Sequence, residues 1–190
     1  MAVYNTPSDA ANTAVRSFLT SVGEHYLGRS FNTGSGKGKE TWEGIRSEFG
    51  HACAYCGEVT KLQIEHLVMF NRSEYGLHHP GNVVPVCKEC NERQKDSNKN
   101  YISWQAQLAI KCGGSESDIF AKRKTKILDH IEKYGYPKLT SQERHAIRVI
   151  AESLYENIKN ESDKSLSMYR KLDEAFIKSN GAGANVESST

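Results

Sequence analysis

The chain has 190 residues, of which 37% are hydrophobic and 25% charged, and its formal net charge is +2. That length suits one domain, or a small core with an appended subdomain, and the low apolar content predicts a modest core beneath much exposed helix surface. A balance this close to neutral excludes a chain-wide basic surface, so any basic face has to be local.

In chain order, residues 1–11 read as a loose tail. From Asn12 to Leu27 the apolar residues Val15, Phe18, Leu19, Val22 and Tyr26 recur at helical spacing, and Gly28 ends the run. Thr33 to Lys39 is glycine-rich and carries two lysines. It lacks the spacing of a phosphate loop and no apolar strand precedes it, so it reads as a mobile linker. A short helix is expected over Thr41–Phe49, with Trp42, Ile45 and Phe49 on one face.

Leu62 to His66 alternates apolar and polar residues as a half-buried strand does, and Asn82 to Val86 is a second, more apolar strand. A polar, helix-tolerant segment runs from Lys88 to Lys95. Beyond residue 100 the pattern is helical. Tyr101, Trp104, Leu108 and Cys112 form one stripe, and Ser117–Tyr134 carries Phe120, Ile127 and Ile131 on another. Thr140 and Glu143 make a capping-box pattern before a helix with Ile147, Ile150, Leu154 and Ile158. A further helix is expected over Asp163–Lys178, and 180–190 reads as a disordered tail. The Lys122–Lys126 run is a solvated helix face or a backbone-tracking basic patch.

The five cysteines divide into Cys53-x-x-Cys56, Cys87-x-x-Cys90 and a single Cys112. Met1 to Ala14 carries no cationic, apolar leader, and no stretch has the length of a membrane-spanning helix. Two Cys-x-x-Cys turns can close a tetrahedron of sulfur around Zn2+, leaving no open position, which makes such a site structural. Disulfides and redox dithiols are the alternative readings. A reducing, cytoplasmic setting favours zinc, and Cys112 reads as a small buried hydrophobe.

Between the cysteine pairs lie Glu65-His66 at the end of the first strand and Asn82 at the start of the second, and Asn91 directly follows Cys90. This order resembles the HNH endonucleases with a tetracysteine zinc site. That family has an acidic residue and a histidine on its first strand, a middle asparagine, and Cys-x-x-Cys-Asn opening a helix.

The resemblance implies an α+β fold: a small ββα-metal core over 51–100, stapled by zinc. A helical flank precedes it over 1–50, and a helical extension follows over 101–179. It implies DNA phosphodiester hydrolysis, with His66 as general base. Glu65 and Asn91 would hold one catalytic Mg2+ or Mn2+, and Asn82 would brace the loop that orients His66. Three features depart from the pattern. Glu65 stands for the commoner aspartate, and Met69 stands where proline is common. Gln94 replaces a lysine, with Arg93 and Lys95 on either side as phosphate contacts.

Arg72 is the corresponding candidate in the loop between the strands, where His78 or His79 could also ligate metal or touch substrate. The implied partners are DNA and either a protein or a second copy docked on the C-terminal helices, with no membrane. A defence or mobile-element system is the implied setting. A non-catalytic zinc-stabilised module that binds protein or nucleic acid is the alternative.

Overall fold

The computed structural model describes residues 6–182. It is an α+β chain in which six helices surround one two-stranded antiparallel sheet. No helix among the described residues is long and apolar enough to cross a membrane.

The first helix, α1 (Pro7–Leu27), begins five residues earlier than its apolar stripe predicts. The Thr6 side chain caps it by accepting from the Asp9 N–H, and Pro7 occupies the first turn, where no N–H is needed. Part of the expected tail is therefore helix, and residues 1–5 lie outside the described residues. Gly28 closes α1 in the left-handed region at φ 71°.

The glycine-rich segment also differs from expectation. Helix α2 (Gly36–Glu48) starts inside it, and Gly38 is buried against the backbone of Asn32. A Cβ at Gly38 would lie 2.3 Å from the Asn32 carbonyl oxygen, so glycine here serves close packing.

Strands β1 (Leu62–His66) and β2 (Val83–Cys87) pair in a register running from Leu62↔Cys87 to His66↔Val83. A single 3-10 turn, Pro80–Asn82, delivers the chain into β2.

Helix α3 spans only Lys88–Asn91 rather than reaching Lys95. Its end is fixed by the buried Gln107 of α4 (Trp104–Lys111). The Gln107 amide donates to the carbonyl of Glu92 at 3.2 Å, and its oxygen accepts from the Gln94 N–H at 3.2 Å. Those bonds take up backbone groups that would otherwise continue the helix.

Helix α5 (Asp118–Lys133) follows, capped by Ser117. The last two expected helices are one: α6 runs from Ser141 to Ala182. No glycine or proline lies between Ile158 and Asp163 to break it. The capping box at its start is formed. The Glu143 N–H donates to the Thr140 hydroxyl at 3.2 Å, and the Thr140 N–H donates to the Glu143 carboxylate at 2.7 Å. The expected tail at 180–190 falls largely outside the described residues, and 180–182 close α6.

Two apolar clusters hold these elements. The larger gathers Trp42 and Ile45 of α2, Val84 and Val86 of β2, Trp104 and Leu108 of α4, and Phe120 and Ile127 of α5 around the cysteines. Trp42, Trp104 and Cys112 are core, as their spacing predicts. The smaller cluster joins Val15 and Leu19 of α1 to Ile147 and Ala151 of α6, with Leu77 from the β1–β2 connection between them. The loop after His66 is thus pinned between the first and last helices.

Candidate functional site

The cysteine cluster comes from two tight turns brought together by the hairpin. Cys53, Cys56, Cys87 and Cys90 present sulfurs that all lie within 4.8 Å of one another. The Cys56 and Cys87 sulfurs are 3.7 Å apart. A tetrahedron with Zn–S bonds of about 2.3 Å has edges of about 3.8 Å, so the four sulfurs fit a zinc ion. The first turn is tied to β2 by the Ala54 N–H, which donates to the Pro85 carbonyl at 2.8 Å. Burial pushes the Cys56 thiol up to about 11 and raises Cys90 as well. Metal binding at such thiols releases protons and removes that penalty.

Arg123 of α5 grips the same turn. Its guanidinium donates to the carbonyls of Tyr55 and Cys56, the latter at 2.8 Å. Gly57 sits beneath it, where a Cβ would lie 2.3 Å from the guanidinium. One member of the 122–126 basic run is therefore an internal clamp. The sequence signal for it, a cation opposite the residue after a Cys-x-x-Cys turn, depends on tertiary placement and is invisible locally.

The second constellation lies along β1. Alternation puts Gln63 and Glu65 on one face of the strand and Ile64 and His66 on the other. Asn91, one residue past Cys90, crosses β1 and donates its amide to Gln63 at 2.9 Å. Glu65 is buried and ion-paired with Arg93, whose side chain is only 2% exposed. Arg93 also donates to the carbonyls of Leu67 at 3.1 Å and His66 at 2.8 Å. Burial pushes the Glu65 carboxyl up, and the Arg93 guanidinium only partly offsets this.

His66 and His78 form a pair. The Nε2 of His66 and the Nδ1 of His78 are 2.9 Å apart. The His66 ring stacks on Phe70, with centroids 4.7 Å apart, and His78 stacks on Phe31 at 4.9 Å. Helix α1 meets His78 through Gly23, where a Cβ would lie 2.3 Å from the His78 carbonyl oxygen. Burial, and then His78, depress the His66 imidazole to about 3. His66 is therefore neutral around pH 7 and one of its nitrogens is already occupied.

Asn82 is buried at the other end of the connecting loop. Its Oδ1 accepts from the Val68 N–H at 2.7 Å, and its Nδ2 donates to the carbonyls of Val68 and Leu77, each at 2.9 Å. It cross-links the two ends of the segment that follows His66.

Beyond Glu65, Asn91 and His78, the structure gives further expected substrate or metal contacts other partners. Arg93 points inward, because Glu65 and two strand-end carbonyls offer acceptors that burial would otherwise leave unpaired. Arg72 pairs with Glu152 of α6 and lies 3.5 Å over the Tyr155 ring. It latches the loop to the last helix and is not free for phosphate. His79 is buried rather than exposed. Its Nδ1 accepts from the Gly81 N–H at 3.1 Å and caps the 3-10 turn. Lys95 is exposed and sits 4.7 Å over the Tyr101 ring. Glu74 goes unmarked in the sequence. It accepts from the Met69 N–H at 2.7 Å and lies 4.0 Å from Arg93.

For a hard divalent ion, the carboxylate of Glu65 and the amide oxygen of Asn91 are suitable donors, both borne by the hairpin and the helix that crosses it. Each side chain has a protein partner, Arg93 for one and Gln63 for the other, so an ion has to share or displace these contacts. Compared with protein-family models, curated proteins and solved structures, the chain matches none.

Proposed function

We propose that the chain is a metal-dependent endonuclease of the HNH type, with a ββα-metal core that hydrolyses DNA phosphodiester bonds. The observation that carries this reading is the placement of four residues along one zinc-compatible hairpin and the short helix that follows it. Glu65 and His66 end β1, Asn82 braces the loop between the strands, and Asn91 crosses β1 at Gln63.

His66 is the general base. Burial keeps it unprotonated near neutrality, and a phosphate anion beside the ring acts in the opposite direction, raising its basicity as substrate docks. When His66 donates its Nε2–H to the Nδ1 of His78, the lone pair on the His66 Nδ1 is left to take a proton from water. Asn82 keeps the His66 loop closed. Glu65 and Asn91 would hold one Mg2+ or Mn2+, which when bound stabilises charge on the scissile phosphate and the leaving oxygen. Products with 5′-phosphate and 3′-hydroxyl ends follow from the family chemistry, as does the cutting of one strand per centre. Cutting both strands takes a second copy or a partner. The exposed Leu166, Met168 and Leu172 on the outer part of α6 support docking there. The defence or mobile-element setting rests on the resemblance alone.

One observation favours a second reading, a non-catalytic zinc-stabilised binding module: Arg93 already neutralises Glu65. Nicking of supercoiled plasmid separates the two. The nuclease nicks when Mg2+ or Mn2+ is supplied and stops when the ion is chelated, whereas the binding module nicks under neither condition.

A further inference from the structure

The near-neutral chain requires any basic face to be local, and one cavity has that character. A groove of about 720 Å³ lies between the loop that follows His66 and the first turns of α6. Arg144, His145 and Arg148 of α6 line it, with Arg72, Glu74 and Tyr136 on the remaining walls.

The two outer arginines are uncommitted. Arg72 is neutralised by Glu152, and Tyr136 uses its hydroxyl to accept from the Leu77 N–H at 3.1 Å. Arg144 and Arg148 are exposed and form no ion pair among the described residues, although Arg148 acts through space on Glu152. Two exposed, unpaired guanidiniums one helical turn apart stand on the same side of α6. They offer fork-shaped donors over a partly aromatic floor, a combination suited to phosphate oxygens and the sugar–base units between them.

The groove also adjoins the candidate centre. Its wall residue Glu74 lies 4.0 Å from Arg93, the partner of Glu65, and its near wall is the segment that begins after His66.

We infer that this groove seats the phosphodiester backbone of the nucleic-acid strand that runs past Glu65 and His66, with Arg144 and Arg148 as its phosphate contacts. The choice of ligand rests on the nuclease reading, while the groove, its charge and its position stand apart from it. The site lies outside the zinc hairpin, and it explains how a chain of net charge +2 can hold a polyanion.

The test is binding of a short fluorescent DNA duplex, and of the matching single strand, measured against salt concentration with zinc-loaded protein and no added Mg2+ or Mn2+, so that no cleavage occurs. Wild type should bind, and Arg144→Ala/Arg148→Ala should lower the slope of log affinity against log salt by about 2 and weaken binding at least about tenfold. Arg144→Lys/Arg148→Lys should restore most of both. The same charge loss on the outer part of α6, Arg170→Ala/Lys171→Ala, should change neither.

Absence of DNA binding by wild type overturns the inference. So does an unchanged slope in the groove variant, or an equal loss in the two alanine pairs. A wild type that binds through Arg144 and Arg148 yet never nicks plasmid leaves the groove standing and removes the nuclease reading.

Discussion

Arg93 turns its guanidinium inward and joins three acceptors that the hairpin would otherwise bury alone: the Glu65 carboxylate and the carbonyls of His66 and Leu67. Removing one member of a buried pair leaves the other uncompensated, so Arg93→Ala should destabilise the protein by about 3–5 kcal/mol. Urea unfolding measures this, and a loss below about 1 kcal/mol would mean that the pair is solvated and the buried account is mistaken. The sequence marks Arg93 only as a cation beside the last asparagine, which is why it reads as a phosphate contact. Its true partner is 28 residues away along the chain, and no local pattern encodes that contact. His78 is similar. Its adjacency to His79 draws notice in the sequence, but the bond to His66 depends on how α1 presses Gly23 against the His78 backbone.

At the scale of elements, periodicity reads well where one face is buried and poorly where a boundary depends on another element. β1 has its expected span and β2 is displaced by one residue, because alternation and the flanking cysteines mark them. α3 is shorter than its polar, helix-tolerant sequence suggests, because Gln107 of a later helix takes up its end. The start of α1 was marked by Thr6-Pro7, a cap and first-turn signal stronger than the polar composition around it.

α6 makes the opposite point. Its apolar residues continue through Ile158, Leu166, Tyr169, Leu172 and Phe176, and no glycine or proline between them breaks the helix. Its buried anchors Ile147 and Ala151 lie early, and from residue 163 onward its described side chains are exposed. Amide exchange should therefore be slow over 145–155 and markedly faster over 163–176, since helix without tertiary packing opens readily. Uniform protection along α6 would show that the outer part is covered by a partner or a second copy.

For the whole molecule, the tetracysteine cluster is the joint between its parts. It receives β2 and α3 directly, α5 through Arg123, and α4 through the hydrogen bond from Cys112 to the Tyr55 carbonyl. This much was legible from two Cys-x-x-Cys spacings, because metal ligands are local in sequence. The clamps from α4 and α5 were not legible, because they act across the fold. A helix of four residues such as α3 has no stability of its own, so Asn91 keeps its place through the held Cys87 and Cys90 together with the Gln107 bonds that fix the end of the helix. Purified protein should carry about one zinc per chain if the four sulfurs bind one tetrahedral ion. Chelating it, or making Cys90→Ser, should lower the thermal midpoint and abolish nicking together. A zinc-free protein that melts at the same temperature would contradict the staple.

The proposed nuclease stands or falls on His66 as its general base. Nicking of supercoiled plasmid by wild type and His66→Ala, in Mg2+ or Mn2+ and with zinc content and melting temperature matched, tests it most directly. Wild type should nick, and the variant should lose at least about a hundredfold. Equal nicking by the two proteins would contradict it.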